Sequence, residues 1–209
     1  KAKDEHPTIR NDALAAWEQA SERMGDMGKV LLAQLKDKSE SVVWRDYAVQ
    51  HLEKIYDASP NQDDIIAALI DTANGKSDAE SNLPGTAMLS LQRLSERNPR
   101  IAKRVQAIAR ESVLDGTDEE KAVVALQVAR ETKDIGVRDK ARQLAGDASA
   151  KARLRLSAIG YLGEVGEKQD VELLEKLSKD GGERVKLAAK TGWEELKGRL
   201  SQEEGEGKL

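Results

Sequence analysis

Cysteine is absent from the 209 residues, which excludes disulfide frameworks, thiolate metal sites and cysteine nucleophiles. Phenylalanine is absent as well, and three Trp and three Tyr bring the aromatic share to only 3%, too sparse for a base-stacking platform. Apolar runs stop after a few residues, far short of the ~20 needed to span a bilayer. The N-terminus lacks the charged start and apolar middle of a signal peptide. Histidine occurs twice, as His6 and His51, far apart in the chain, and both are read as surface residues. That leaves no catalytic or metal-ligating constellation, and neither a cofactor nor a metal is expected. There is no phosphate-cradling glycine loop. Gly160, Gly163 and Gly166 recur at period three on or just after a helix, and Gly181-Gly182 is a turn, so these read as packing and stop signals.

Charge is abundant, at 34% of residues with a net of −4, but it is unevenly spread. Residues 1–96 carry 11 basic and 17 acidic groups, 97–155 carry 14 and 9, and 156–209 carry 9 and 12. The modest basic surplus of the middle third is well below that of a dedicated nucleic-acid binder, so nucleic acid is an unlikely partner. The carboxylate runs Asp118-Glu119-Glu120 and Asp63-Asp64 fall in first turns of expected helices, where the positive end of the helix dipole favours them. A hydrolase would need two acids converging across a cleft. The chain begins with Lys1 rather than Met, and the lack of thiols fits an exported bacterial protein, which is the expectation over a cytoplasmic one.

Apolar residues recur at helical spacing throughout, with Gly, Pro, Asn and Ser between the stretches. Thr117-Asp118-Glu119-Glu120 reads as a capping box, Ser59-Pro60-Asn61-Gln62 as the same box with Pro at the first helical position, and Asn98-Pro99 as a cap followed by Pro. Helix stops are expected at Asn74-Gly75, Asp115-Gly116, Gly146-Asp147 and Asp180-Gly181-Gly182.

The chain also repeats itself. Ala13, Ala48, Ala87, Ala122, Ala158 and Ala189 come into register at spacings of 35, 39, 35, 36 and 31 residues. Four residues after each stands Trp17, Leu52, Leu91, Leu126, Leu162 or Trp193, and seven after stands Ala20, Ile55, Leu94, Ala129, Val165 or Leu196. These positions share one helix face. Four residues before the alanine the series is Ile9, Trp44, Leu83, Asp118, Leu154 and Val185, and three before it Arg10, Arg45, Pro84, Glu119, Arg155 and Lys186. Second helices with their own apolar faces lie between, around Val30, Leu31 and Leu35 in the first unit and Val171, Leu174 and Leu177 in the fifth. A small residue at the repeated alanine lets helix backbones approach closely.

The segments Val43-Trp44-Arg45-Asp46-Tyr47-Ala48-Val49-Gln50-His51-Leu52 and Arg153-Leu154-Arg155-Leu156-Ser157-Ala158-Ile159-Gly160-Tyr161-Leu162 carry an apolar-Arg-x-x-Ala-x-x-Leu core. In this the chain resembles the HEAT-repeat family, particularly its short bacterial form, over most of residues 9–196. Pro84, Glu119 and Asp118 depart from the pattern in the third and fourth units. The resemblance implies an all-α, right-handed α-solenoid of about eleven helices, stacked as antiparallel pairs. It implies a single domain over 1–209 with units near 8–38, 40–74, 83–115, 117–147 and 150–180, a terminal helix at 183–199 and a poorly packed tail at 201–209. It also places second helices on a concave face and assigns a scaffolding or partner-binding role without enzymatic activity. The rival readings are a solenoid enzyme of the lyase or DNA-base glycosylase type, and a segment of a longer structural array.

Trp17 and Trp193 fill the large-residue slot only in the first and last units, where they are expected to cover the open ends of the stack; Trp44 is expected to be structural. Asn74 to Thr86 is the longest interhelical segment. The candidate partner-binding residues are Lys103, Arg104 and Arg110 on one second helix and Arg138 and Arg142 on the next, suited to an acidic protein or peptide. The plainer alternative is a solvated face with local ion pairs, such as Asp139 with Arg142.

Overall fold

The starts of two first helices are built by the same chemistry. In the computed structural model, Arg45 Nε donates to the carbonyl of Leu35 at 2.9 Å, and Arg155 Nε donates to that of Ala145 at 2.8 Å. In both cases the acceptor lies ten residues earlier, in the last turn of the preceding helix. Those carbonyls have no partner within their own helix, so the arginine of the repeated motif closes one helix while opening the next. The intervening turns match as well. Asp37 Oδ1 accepts from Ser39 N and Oγ at 2.9 and 2.6 Å, and Asp147 Oδ1 accepts from Ser149 N and Oγ at 2.8 and 2.6 Å. These two bonds hold the Asp147 carboxyl below its ordinary range, the hydroxyl contributing most.

The structure describes residues 6–19, 24–77, 81–180 and 182–206. Within these residues there are eleven α-helices and no strand: α1 Pro7–Gln19, α2 Met24–Lys36, α3 Val42–Ile55, α4 Gln62–Ala73, α5 Leu83–Arg97, α6 Ala102–Asp115, α7 Glu119–Glu131, α8 Arg138–Gly146, α9 Ala152–Val165, α10 Asp170–Asp180 and α11 Glu183–Glu206. None of them is long and apolar enough to cross a membrane. Ala20, Gly181, part of the 74–86 connection and residues 207–209 lie outside the described residues, as does the side chain of Trp17.

The chain divides into two compact units, 1–105 and 106–209, with the division inside α6. In the first, α1 packs on α3 and α3 on α5, while α2 packs on α4; α2 and α4 also pack against the first helices that follow them. In the second, α7 packs on α9 and α9 on α11, α8 packs on α10, and the pairs α8–α9 and α10–α11 are in contact. Each unit is thus a helical array in which first helices meet first helices and second helices meet second.

The alanine register explains this stacking. Ala48, Ala87, Ala122, Ala158 and Ala189 are fully buried, as are Leu52, Leu91, Leu126 and Leu162 four residues later. The first repeat departs from it, because Ala13 is exposed and Ile9 is 56% exposed, while Leu14 is buried. On this helix Asn11 and Leu14, three residues apart, share the inward face, and Asn11 Oδ1 accepts from His51 Nε2 at 2.8 Å. His51 is therefore not the surface residue expected from sequence: it is 2% exposed, a polar group buried with a partner, whereas His6 is exposed. Val30 also points outward, and Met27 joins Leu31 and Leu35 on the buried face of α2.

Several helix starts lie downstream of the expected caps. Asp118, not Thr117, caps α7 by accepting from Lys121 N, while Thr117 Oγ1 donates to Asp115. Ser59 Oγ accepts from Asn61 N in a turn, and α4 begins only at Gln62. Asn98-Pro99 opens a single 3-10 turn before α6. Gly116 takes the left-handed conformation (φ 61°) that ends α6, as expected. The Gly- and Glu-rich end does not leave the last helix at 200 but continues it to Glu206, with Arg199 paired to Glu203 at 2.7 Å one turn along.

Candidate partner-binding surface

Helix α8 is short and strongly amphipathic in sequence: Val137 and Ala141 face inward, which puts Arg138 and Arg142 on one side. Arg142 does not project freely. Its Nε and Nη2 donate to the two carboxylate oxygens of Asp170 at 2.5 and 3.2 Å, Nη2 also reaches Glu167 Oε1 at 2.6 Å, and Nη1 reaches Asp139 Oδ1. The Asp170 side chain is 1% exposed, and its Oδ2 accepts from Glu167 N at 2.7 Å as α10 begins. Hydrogen bonding to Asp170 raises the Arg142 pKa further, against the effect of burial. Glu167 is held below its ordinary range, first by a hydrogen bond from Gln169 and then by Arg142.

Arg110 repeats this arrangement on the preceding second helix. Its Nε and Nη2 donate to the Asp134 carboxylate at 3.0 and 2.6 Å, a forked pair that raises the arginine pKa chiefly through the hydrogen bond. The Asp134 side chain is 1% exposed, while that of Arg110 remains 45% exposed. Asp134 Oδ1 also accepts from Gly136 N at 2.9 Å, and its backbone carbonyl accepts from the Tyr161 hydroxyl at 2.5 Å. Arg138 Nε donates to the carbonyl of Val165 at 2.7 Å, with Nη1 at 3.4 Å from Glu167 Oε2. All these contacts lie within the second unit. Lys103 and Arg104, in the first, are exposed and make neither hydrogen bond nor ion pair among the described residues.

Of the five nominated cations, three are therefore engaged internally, and the Asp139–Arg142 pair expected on the plainer reading is present. Sequence reasoning missed the acceptors Asp134 and Asp170. The available signal was an aspartate at the start of each next second helix, 24 and 28 residues beyond its arginine. Elsewhere, Trp44 is buried, and Trp193 is half-buried with Lys197 Nζ 4.3 Å from its ring centroid. Among the described residues no group of three His, Asp or Glu side chains could hold a metal ion. No protein-family model matches the chain, and no curated protein is significantly similar to it.

Proposed function

We propose that this chain is a non-enzymatic protein-interaction or scaffold module, an α-solenoid of HEAT-like pairs whose second helices face an acidic partner. The observation that supports the reading best is the matched joint at Arg45 and Arg155, since side chains that elsewhere do chemistry are here used to tie helix to helix. Each unit's first-on-first and second-on-second packing fits the same reading, because stacked helix pairs of this kind present extended surfaces to partners.

On α6, Lys103 and Arg104 make the direct contacts, being exposed and unpaired among the described residues. Arg110 offers the outer part of a guanidinium already anchored by Asp134, which lowers the entropy lost on binding. Arg138 and Arg142 hold the second helices in position. Affinity capture from the native source, with identification by mass spectrometry, tests this. A partner retained by the wild-type chain and lost with K103E/R104E supports the reading, as does elution by moderate salt. A partner held equally by both chains removes these residues from the interface, and capture of none removes the interaction role.

A further inference from the structure

In the first unit, the ends of α2 and α4 and the starts of α3 and α5 border a cavity of about 460 Å3. Four cations line it: Lys36 from the last turn of α2, Lys38 from the turn that follows, Arg45 from α3 and Lys76 from the connection after α4. Among the described residues the single acidic group in the lining is Asp71. Among the described residues the three lysines, which are exposed, make neither ion pair nor hydrogen bond, and Arg45 has only its side-chain Nε committed, to Leu35. Arg93 and Arg97 of the same unit are paired, with Glu53 and Asp57, whereas Lys103 and Arg104 are unpaired among the described residues but lie apart from this cluster of cations.

Helix-end carbonyls account for part of this. They bind Arg45 Nε, and they favour Lys36 in a last turn by ~0.3–1 kcal/mol. They do not explain why Lys38 and Lys76, from two separate loops, meet at the same cavity. Nor do they explain why these cations collect within the net acidic stretch 1–96, where 17 acidic groups are available against 11 basic.

We propose that this cavity binds a small phosphoryl-bearing anion of the diphosphate class. The described residues of the lining carry a surplus of three positive charges, and two adjacent phosphoryl groups bring on the order of three negative ones. Three of the four cations are lysines, point charges on flexible stems that suit phosphoryl oxygens, whereas carboxylate recognition favours an uncommitted arginine fork. The volume lies within the roughly 300–1,000 Å3 of small-ligand sites and exceeds what a lone phosphate fills. Leu83 and Pro84 supply an apolar wall for an organic remainder.

Calorimetric titration of the full chain with pyrophosphate, at ionic strength held constant with chloride, tests the proposal. Saturable one-to-one binding is expected, with Kd at least tenfold weaker in K38E/K76E and unchanged in K103E/R104E. Both pairs are exposed, so far-UV circular dichroism should be that of the wild type. Absence of saturable binding overturns the site, as does equal binding by K38E/K76E. Tighter binding of citrate than of pyrophosphate overturns the phosphoryl assignment. Because K103E/R104E is the control here and the test variant for partner capture, each idea fails separately.

Discussion

Gly163 of α9 and Gly192 of α11 touch backbone to backbone: a Cβ added at Gly163 would lie 2.7 Å from the Gly192 Cα. No flexible side chain can yield there, so two first helices meet at a point where only hydrogen fits. Gly163→Ala should destabilise the chain by ~1–3 kcal/mol through overpacking. Gly146→Ala, at the end of α8 with open space around the new methyl, should be neutral or stabilising by up to ~1 kcal/mol. Urea unfolding of the two variants checks the contrast, and equal midpoints would refute it.

The second prediction concerns Arg142. Removing it leaves the Asp170 carboxylate buried without its forked partner, so Arg142→Ala should cost ~3–5 kcal/mol. Arg104→Ala, which removes an exposed and unpaired cation, should fall within about 0.5 kcal/mol of the wild type. A loss at Arg142 no greater than that at Arg104 would show the network to be idle.

Periodicity made the helices and most of their inward faces legible, because a buried alanine followed by leucine four residues on is a local pattern imposed by packing. It failed at the first repeat. Ala13 fits the pattern, yet Leu14 is the buried residue, on the same helix face as Asn11, which bonds His51. His51 was misread for a related reason: its partner Asn11 lies forty residues away, and no spacing rule links a lone histidine to a distant amide. The nominated cations were correctly located on second helices, but their acceptors Asp134 and Asp170 come from the following pair, and pairing between repeats is a tertiary fact. The cap at Asp118 differs from the expected Thr117 by one residue, because two oxygen-bearing side chains sit side by side there, while the cap position of α4 falls two residues past Ser59, at Asn61, with no side-chain cap bond.

The repeat register can be tested directly. Ala158→Leu should overpack the joint between first helices and cost ~1–3 kcal/mol, because Ala158 has no exposed surface. Ala13→Leu, at the matching position of the first repeat, should change stability by no more than about 0.5 kcal/mol because the residue faces outward. Thermal melts of the two variants distinguish this from a register uniform in all six repeats, in which both would be destabilised.

Tyr161 should contribute to the loss of stability at alkaline pH. Burial, reinforced by Asp134 and Asp170 and opposed by Arg138 and Arg142, raises its phenol pKa well above the ordinary 10.0. A raised folded-state value means the folded form holds its proton more tightly than the unfolded chain does. The resulting stability is complete below pH 10 and declines as pH rises through and beyond that value, by up to ~1.4 kcal/mol per pH unit. Tyr161→Phe removes the ionisable group together with the hydrogen bond to the Asp134 carbonyl. At neutral pH it should therefore be less stable by ~0.5–1.5 kcal/mol, with a shallower fall above pH 10. Urea midpoints of both chains, followed from pH 7 to 11.5, should converge as pH rises; parallel curves would mean that Tyr161 ionises as freely in the folded chain as in the unfolded one.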